Sequence, residues 1–422
     1  MAGNQTIGRR DFLKRSLFAA SALGTVRLAG PARGAVLGAN DRIGIGIIGC
    51  GGMGTEHIRN YRRLSEKPEL NIRLVGVCDI YEPRKQRAKA AAGCEVYHDY
   101  RKLLERRDLD GVLIATPDHW HAKMAIDAME AGKDVHVEKP MTLYLDEAKK
   151  MVEVAAKTKR VVQVGAEGTS NDVFWQANRI VREGVLGKIV WATGGVYRNE
   201  PQGDWNWPMD KDCSPKNLDW DAFLGPAPKR PFEPERYFRY RKYWDYSGGL
   251  AHDLIAHQLS ALQLVVGPEF PRRISAAGGV YVHHDRETPD TFHMMVEYPS
   301  DYVATLFCTQ TTTDGVEMAI RGEHATLTFE KTPGREGGAR RFTAVLVQPQ
   351  EPFEKEVKPL RIEPAPRADH DTNWIECMRS RRKPHYPVEM GYKVMAALCL
   401  GVRSWREGKM FTFDAAKQEV LP

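Results

Sequence analysis

The sequence predicts an α/β protein of two domains: a parallel sheet wrapped by helices, then an α+β domain with a large, mainly antiparallel open sheet. Two observations carry this prediction. Short β-branched runs alternate with helical patterns between residues 43 and 165, which is typical of a parallel sheet. After residue 165, alternating apolar and polar runs follow one another without helices between them, which indicates antiparallel pairing.

The parallel strands are expected in the order "RIGIGIIG", "NIRLVGVCD", "DGVLIATP", "KDVHVEKP" and "RVVQVG". Amphipathic patterns such as "HAKMAIDAMEAG" lie between them, and Gly132 stands where a helix would end in a left-handed residue. The later strands include "GKIVWATGGVYRN", "TFHMMVEYP" and "YVATLFCTQT". We therefore expect a first domain over residues 40–165 and a second over residues 166–422.

A glycine pattern follows the first strand. Gly49, Gly51 and Gly54 form G-x-G-x-x-G at the predicted turn into a helix, and Asp79 closes the second strand 25 residues after Gly54. This arrangement permits a tight turn and a close approach of pyrophosphate to helix amides. It predicts a Rossmann domain. Asp79 would bind a ribose diol and repel a 2′-phosphate, so NAD is favoured, although nearby Arg84 leaves NADP open.

The N-terminus reads as an export signal. Arg9 and Arg10 precede "DFLK", the apolar run "LFAASALGTV" and the small-residue stretch "AGPARGA", which is the order of regions in a twin-arginine signal peptide. The alternative is a disordered basic tail. The signal interpretation assigns residues 1–39 to a signal peptide and predicts a periplasmic or otherwise exported protein whose partner is the twin-arginine export machinery.

Charge and cysteine usage exclude several classes of protein. Residues 1–39 carry six basic residues and one acid, a net +5 of the formal +6, so the remaining chain is near +1 and offers no basic face for nucleic acid. No apolar run reaches the roughly 18 residues of a membrane span. The seven cysteines form no C-x-x-C pair and predict neither a disulfide framework nor a zinc ribbon. We expect no metal; Asp253, His257, His283 and His284 would be the alternative ligands.

Lys139 lies between Glu138 and Pro140, at the carboxyl end of a predicted strand. Ligands of open α/β sheets bind at that edge, and a cis bond before the proline would direct the lysine ammonium into a cleft. An ordinary surface lysine is the alternative. The tract "ATPDHWH" ends another strand at the same edge, where a helix N-cap and solvated imidazoles are the simpler interpretation.

A second group of polar residues occurs in "SGGLAHDLIAHQLSAL". If residues 250–266 are helical, Asp253 and His257 share one face at i and i+4. Oxidation of a secondary alcohol needs a base for the hydroxyl proton and a cation to stabilise the developing alkoxide. His257 fits the base and Lys139 the cation, with Asp253 orienting the base or holding the substrate. A surface ion pair would explain the helical spacing equally well.

The ordered motifs "GIIGCGGMG", "VCD", "ATPDHWH", "EKP" and "GGLAHDLIAH" resemble the Gfo/Idh/MocA oxidoreductase family. The resemblance implies a Rossmann domain, an α/β domain whose open sheet often mediates homo-oligomers, and Lys139, Asp253 and His257 as catalytic residues. It implies the following cofactor contacts: Gly49, Gly51, Gly52, Met53, Gly54, Asp79, Ile80, Thr116, Pro117, His119, His121, Glu138 and Lys139. The chain departs from the family at Ser260, where many members have aspartate, and at "GAEGTS", where many have an arginine.

These observations predict an exported NAD(P)-dependent oxidoreductase that acts on a secondary hydroxyl of a sugar, glycoside or cyclic polyol. Twin-arginine export moves folded proteins, so the cofactor would travel inside the enzyme and would have to be tightly bound. Trp207 and Tyr246 are candidate substrate contacts, because flat aromatic rings suit the C–H faces of sugars. A redox-neutral, NAD-dependent glycoside hydrolase and a non-catalytic sugar-binding protein are the alternatives.

Overall fold

The computed structural model describes residues 41–331 and 342–421; the predicted signal peptide lies outside them. Within the described residues the N-terminal sheet has six parallel strands in the order β3-β2-β1-β4-β5-β6. They are β1 (Ile43–Ile48), β2 (Ile72–Cys78), β3 (Glu95–Tyr97), β4 (Gly111–Ile114), β5 (Asp134–Val137) and β6 (Val162–Val164). The helices between them are α1 (Gly52–Ser65), α2 (Glu82–Ala92), α3 (Tyr100–Leu104), α4 (Asp118–Glu130) and α5 (Leu145–Thr158).

The strand order places a crevice at the carboxyl ends of β1 and β4. Residues of both strands are buried throughout, because helices cover the two faces of a parallel sheet. The chain runs from β1 outward to β3 and then returns to β4 on the other side of β1. At such a reversal, the loops that follow the two central strands separate and leave a ligand crevice.

The second sheet confirms the predicted mainly antiparallel domain. Among the described residues it has ten strands in the order β14-β13-β12-β11-β7-β10-β9-β8-β15-β16, and β7 and β10 form its parallel pair. The strands are β7 (Ile189–Tyr197), β8 (Arg273–Gly279), β9 (Thr291–Tyr298), β10 (Tyr302–Thr309), β11 (Ala319–Gly322), β12 (Ala325–Lys331), β13 (Phe342–Pro349), β14 (Leu360–Ile362), β15 (Phe411–Asp414) and β16 (Glu419–Leu421).

One face of this sheet is covered by helices and the other is open. The helices of this half are α6 (Asp172–Arg182), α7 (Trp220–Leu224), α8 (Pro234–Phe238), α9 (Ala256–Val266), α10 (His370–Ser380) and α11 (Val388–Glu407). Residues alternate in burial along β9 and β10. Leu306 and Met294 point into the core, whereas Trp191 and Met295 on the open face are 40% and 50% exposed.

Helix α10 returns to the first domain although it lies near the end of the chain. Trp374, Ile375 and Met378 belong to the same buried cluster as β1 residues of the parallel sheet. The Arg381 guanidinium, just after α10, pairs with Asp134 at the start of β5 at 2.6 Å. The two halves of the chain therefore share a hydrophobic core. No helix in the described part of the chain combines the length and apolar character needed to cross a bilayer.

Candidate active site

The glycine turn after β1 has the geometry that a pyrophosphate requires. Gly49 adopts φ +90°, a conformation that strongly favours glycine. A Cβ on Gly54 would lie 1.8 Å from the Gly49 carbonyl oxygen, whereas one on Gly52 would meet nothing within 4 Å. The first turn of α1 carries no acidic residue, and its N-cap Gly51 has no side chain to occupy the amides. The turn therefore leaves an open cradle at a helix N-terminus.

Asp79 lies beside this cradle and is buried. Its carboxylate oxygens accept hydrogen bonds from the Cys50 amide at 2.7 Å and the Tyr81 amide at 2.8 Å. The Arg84 guanidinium lies 3.4 Å from the position of a Cβ on Gly51 and stacks on the Tyr237 ring at 4.6 Å. The structure thus places the acid and the arginine beside the glycine turn, and Asp79 also holds that turn in place.

The residues that follow β4 differ in whether their polar atoms have partners within the protein. The Thr116 hydroxyl oxygen is buried without a partner among the described residues, which fits a cofactor group at this position. The imidazole of His121 already bridges the Thr116 and Pro140 carbonyls at 2.8 and 2.6 Å. His119 contacts the Phe223 carbonyl through Nε2 at 2.8 Å. Main-chain oxygens engage both nitrogens of His121 and Nε2 of His119, so these rings fix the loops around the crevice. His121 has no ring nitrogen left for the expected cofactor contact, whereas His119 Nδ1 is buried without a partner among the described residues, and the contact expected there stays a prediction.

Among the other expected cofactor residues, Met53 is 43% exposed and lies in the first turn of α1. The Ile80 carbonyl accepts a hydrogen bond from the Asp219 amide. Pro117 is the N-cap of α4. The Glu138 carboxylate lies 2.7 Å from the His57 imidazole. Pro117 and Glu138 follow strands that end at the crevice, whereas Ile80 follows β2 and its carbonyl is engaged by the second half of the chain.

Lys139 and Asp253 come from different domains and meet directly. The Lys139 ammonium is 2.7 Å from Asp253 Oδ1 and 3.0 Å from the Asp253 carbonyl, and the Lys139–Pro140 bond is cis. Asp253 also accepts hydrogen bonds from Arg241 Nε at 2.8 Å and from Trp205 Nε1 at 3.1 Å. The sequence does not single out Arg241, and the tract "GDWNWP" offers Trp205 only as one of several flat aromatic rings that suit a sugar.

These contacts keep Asp253 ionised. Burial alone would raise the pKa of Asp253, but the charges of Arg241 and Lys139 outweigh it and hold the pKa far below its usual range. Burial would likewise lower the pKa of Arg241, and the Asp253 charge reverses this effect. The cluster is therefore a fixed group of two cations around one carboxylate, with a net positive charge at the crevice.

His257 lies beyond a π-helical turn, Ala251–Ile255, which precedes α9. The wider π turn rotates Asp253 relative to an α-helical register, and its carboxylate binds Lys139, Arg241 and Trp205. Asp253 therefore holds the lysine, which changes the expected role of orienting the base. Burial, aided by the charge of Lys139, lowers the pKa of His257 to about 4. The imidazole is neutral at physiological pH and can accept a proton.

Trp205 combines burial with an unusual backbone. It is 1% exposed and has φ +70°, a region that bulky residues rarely adopt. Such conformations persist where the surroundings enforce them, often beside functional groups. The Trp205 amide binds Asp204 at 3.1 Å, and the indole nitrogen binds Asp253. We infer that the surrounding contacts hold this conformation so that the indole supports the carboxylate.

The two aromatic residues expected to bind substrate lie in different environments. Trp207 is 45% exposed, and the Arg241 guanidinium lies 5.2 Å from its ring centroid, so it borders the catalytic cluster. Tyr246 is fully buried and packs against His119 at 5.1 Å and Phe223 at 4.9 Å. Its ring has no surface to offer a sugar, so the expectation for Tyr246 is corrected to a packing role.

A segment of the second half, residues 210–246, covers the carboxyl edge of the parallel sheet; we call it the strap. Leu218 forms a β-bridge with Tyr81, and the Tyr81 hydroxyl donates to Asp210 at 3.0 Å. Tyr237 accepts a hydrogen bond from Arg84 at 2.7 Å. The Phe223 carbonyl accepts a hydrogen bond from the indole N–H of Trp120 at 3.0 Å. The strap therefore touches the loops that follow both β2 and β4.

One group of potential metal ligands occurs in the described residues, namely His57, Glu138 and Glu167, whose ligand atoms lie within 4.8 Å of one another. His57 Nε2 is at hydrogen-bond distance from Glu138, 2.7 Å, and its other nitrogen is 3.7 Å from Asp371. A proton on the imidazole accounts for this geometry, and a metal has no part in our interpretation of the site.

Two family models cover most of the described chain. The model of an oxidoreductase family with an NAD-binding Rossmann fold, Gfo/Idh/MocA, matches residues 43–166, and the model of its C-terminal α/β domain matches residues 175–422. The match to the first model covers the glycine cradle and Lys139. The match to the second covers Asp253 and His257, so each model contains one side of the Lys139–Asp253 contact.

Curated relatives match part of their length. A protein of Shewanella sp. (strain ANA-3) named glycosyl hydrolase family 109 protein 1 is 29% identical over 209 residues, which are 44% of this chain and 44% of that protein. An α-N-acetylgalactosaminidase of Shewanella oneidensis is 28% identical over 189 residues, 42% of this chain and 39% of that enzyme. The chain therefore matches less than half the length of these relatives.

Solved structures share the fold across nearly the whole chain. The WlbA dehydrogenase of Bordetella pertussis, in complex with NADH and UDP-GlcNAcA, aligns with a TM-score of 0.65 and 20% identity over 88% of this chain and 99% of that one. The aldose-aldose oxidoreductase of Caulobacter crescentus, complexed with glycerol, aligns with a TM-score of 0.65 and 19% identity over 88% and 100%. At this identity the similarity establishes the fold.

Proposed function

Because this chain belongs to the Gfo/Idh/MocA oxidoreductase family, we propose that it is an NAD(P)-dependent oxidoreductase acting on a secondary hydroxyl of a sugar, glycoside or cyclic polyol. The observation that carries the proposal is the 2.7 Å contact between Lys139 and Asp253. It joins the two domains at the crevice edge, beside the glycine cradle. When bound there, NAD would supply a hydride acceptor.

His257 and the residues of the Asp253 cluster have different roles in the reaction of the substrate hydroxyl. His257 is neutral at physiological pH, since its pKa is lowered to about 4, and we assign it to accept the hydroxyl proton. The Lys139 ammonium, held by Asp253, stabilises the negative charge that develops on the substrate oxygen. Arg241 is fixed through Nε, and Trp207 offers an exposed ring at the rim. Both are positioned to contact the sugar.

NAD is the preferred cofactor in this proposal. The Asp79 carboxylate borders the cradle and would repel the 2′-phosphate of NADP. Arg84 lies close to Gly51 and is the residue through which NADP could still be accepted. Competition between NAD and NADP for the protein stripped of nucleotide would rank the two cofactors.

The strap supports a cofactor that stays bound. The hydroxyl of Tyr237 lies 3.5 Å from Asp79 Oδ1 and binds Arg84, which places strap atoms over the ribose end of the cradle. Retention for hours, at an association rate constant of about 10⁶ M⁻¹s⁻¹, needs a dissociation constant of about 10⁻¹⁰ M. An exported enzyme gains from such retention, because little free NAD exists outside the cytoplasm.

Replacing Tyr237 with Ala should release the cofactor faster. The change removes the ring under Arg84 and the hydroxyl beside Asp79, so we expect nucleotide to dissociate at least about tenfold faster, as one lost cation–π contact would cause. Exchange against isotopically labelled NAD, followed by mass spectrometry, measures the rate. Tyr281→Ala, at a residue 63% exposed, is the control. Equal rates in both variants would refute the retaining role of the strap.

A redox-neutral glycoside hydrolase is the second candidate, favoured by the relatives named glycosyl hydrolase family 109 and α-N-acetylgalactosaminidase. In that reaction, transient oxidation of a ring carbon acidifies its neighbour and permits elimination of the leaving sugar. The same cluster would serve it, since a base and a cation are needed at the oxidised carbon in both cases. A retained cofactor suits both reactions.

Turnover by purified protein separates the candidates. We expect the bound nicotinamide to become reduced, with a rise in absorbance, when a free sugar or polyol is added, and no glycoside to be cleaved. Release of an aglycone without net reduction would instead establish the hydrolase. His257→Asn should abolish turnover while nucleotide remains bound. A protein that purifies without nucleotide and does not respond to sugars would overturn the proposal of an enzyme.

Export and self-association complete the proposal. The twin-arginine pattern of residues 1–39 underlies the proposed periplasmic location, which fractionation of cells expressing the full chain would test.

The open sheet face with Trp191 and Met295 exposed is the proposed homo-oligomer surface. Sedimentation of Trp191→Asp beside the unchanged protein would test that surface.

A further inference from the structure

A group of buried titratable residues lies behind Lys139, on the side away from Asp253. His57 on α1 is its centre, 5% exposed. One ring nitrogen lies 2.7 Å from Glu138 Oε1 and the other 3.7 Å from Asp371 Oδ2. Glu138 follows β5 and Asp371 belongs to α10. A single imidazole therefore links the helix of the glycine cradle, the lysine loop and a helix from the second half of the chain.

The Glu138 carboxylate in turn fixes the main chain of Lys139. Its Oε2 accepts the Lys139 amide at 3.2 Å. A Cβ on Gly165 would lie 2.6 Å from the Lys139 nitrogen and 2.8 Å from Glu138 Oε2, so the loop is packed without spare room. From this loop the Lys139 side chain reaches Asp253. Contacts therefore run from Asp371 through His57 and Glu138 to the catalytic ammonium.

The surroundings of His57 are predominantly acidic. Glu138 and Asp371 face its two nitrogens, and Glu167 lies within 4.8 Å of the same group. The His136 ring packs edge-on at 5.7 Å, and His136 itself lies 3.4 Å from Asp371. Two carboxylates that face the two nitrogens of one imidazole favour its protonated form, because one nitrogen hydrogen-bonds with Glu138 and both negative charges stabilise the imidazolium.

The balance of burial and charge supports the same state. Burial alone would lower the pKa of His57, but the neighbouring carboxylates of Asp371 and Glu138 outweigh this effect and raise the pKa to about 10. The Glu138 charge also raises the pKa of Glu167. A divalent metal at this group would have to displace the proton from His57 and break the 2.7 Å hydrogen bond.

We propose that His57 is a positioning residue: as an imidazolium between Glu138 and Asp371, it locks the cofactor-binding helix to the Lys139 loop and sets the ammonium against the nucleotide. This inference rests on the proposed oxidoreductase function. Its consequence is that the relative position of cradle and lysine depends on one buried positive charge. Loss of the charge should slow chemistry without removing any group that touches the substrate.

The protonation state of His57 can be measured directly. In protein labelled with ¹⁵N at histidine, NMR should show His57 protonated at pH 8, with both ring nitrogens carrying hydrogen. Asp371→Asn should lower its titration midpoint by at least about one pH unit, because one neighbouring charge is gone. A His57 signal that is neutral at pH 8 would overturn the proposal, whether or not the protein turns over sugar.

Kinetics test the positioning role. The neutral variant His57→Gln should lower kcat by about tenfold to a hundredfold and change KM for the sugar little, since the substrate contacts remain. His385→Gln is the matched control. His385 binds Ser170, and burial lowers the pKa of His385 to about 4. Equal kcat in the two variants would refute positioning by His57, and absence of turnover in the unchanged protein would refute the proposed function instead.

The positive charge on His57 also affects how the free energy of unfolding depends on pH. A group whose pKa rises on folding from about 6.5 to about 10 adds stability that is fully present below about pH 6.5 and is lost as the pH rises through about 10. The fall in unfolding free energy over this window should be smaller in His57→Gln. An equal fall in both proteins, or stoichiometric binding of Mn²⁺ that Glu167→Gln removes, would overturn the assignment of a proton.

Discussion

Replacing Asp253 with Ala is expected to reduce turnover by at least about 10³-fold and the free energy of unfolding by about 3–5 kcal/mol. The carboxylate is 7% exposed and holds Lys139 and Arg241 at 2.7 and 2.8 Å. Without it, two cations face each other in a buried site, and the lysine loses its orientation toward the substrate oxygen. Sugar-dependent reduction of bound nucleotide and urea unfolding measure the two effects.

Asp221→Ala is the matched control for this change. Its carboxylate is paired with Lys229 at 3.1 Å on the surface, where its side chain is 85% exposed. Exposed pairs contribute at most about 1 kcal/mol, so the control should unfold almost like the unchanged protein and retain turnover. If Asp253→Ala unfolded within about 1 kcal/mol of the control, the buried cluster would not have the energetic role assigned to it.

Replacing Gly54 with Ala should disrupt the cradle itself. The added Cβ would lie 1.8 Å from the Gly49 carbonyl oxygen and 2.8 Å from its carbon. Both are main-chain atoms, so α1 must move away from β1. We expect a loss of about 3 kcal/mol or more in the free energy of unfolding, together with loss of bound nucleotide. Thermal unfolding and the ultraviolet spectrum of the purified protein report both quantities.

Gly52→Ala separates phosphate binding from folding. A Cβ on Gly52 would meet nothing within 4 Å, so the fold should accept it. The methyl group would instead occupy the open side of the cradle, where a phosphate approaches the helix amides. We expect near-unchanged stability with weakened nucleotide binding. The idea fails if Gly52→Ala retains all of its bound nucleotide and Gly54→Ala is as stable as the unchanged protein. In that case the turn does not bind pyrophosphate as described.

The sequence predicted the architecture because its signals are local. β-branched runs, a glycine turn and helix ends depend on residues a few positions apart, and the five predicted strands all occur in the parallel sheet. The short strand β3 (Glu95–Tyr97) was not predicted. The carboxyl ends of parallel strands lie at one edge of the sheet, so the positions of Asp79 and Lys139 at the crevice followed as well. Lys139, Asp253 and His257 were expected to serve one reaction, but the direct contact of Lys139 with Asp253, 114 residues later, was not predicted, because Asp253 was assigned to the base or to the substrate.

The environment of each side chain required the tertiary structure. A helical pattern over residues 250–266 did not reveal the π turn at Ala251–Ile255, which directs Asp253 to a lysine and an arginine. The aromatic tract predicted a sugar contact at Tyr246, yet packing of the strap buries that ring. Spacing cannot distinguish such cases, because neighbours far along the chain decide which face of an element is covered.

By itself, then, the sequence determined the two sheets, the glycine cradle and the residues Lys139, Asp253 and His257 as candidates for chemistry. Only the folded chain decided that Arg241 and Trp205 complete the Asp253 cluster and that His57 lies between Glu138 and Asp371. Local patterns reflect backbone preferences, which act over a few residues. Charge pairing in a buried site depends on distances through space, and these exist only once both domains have packed together.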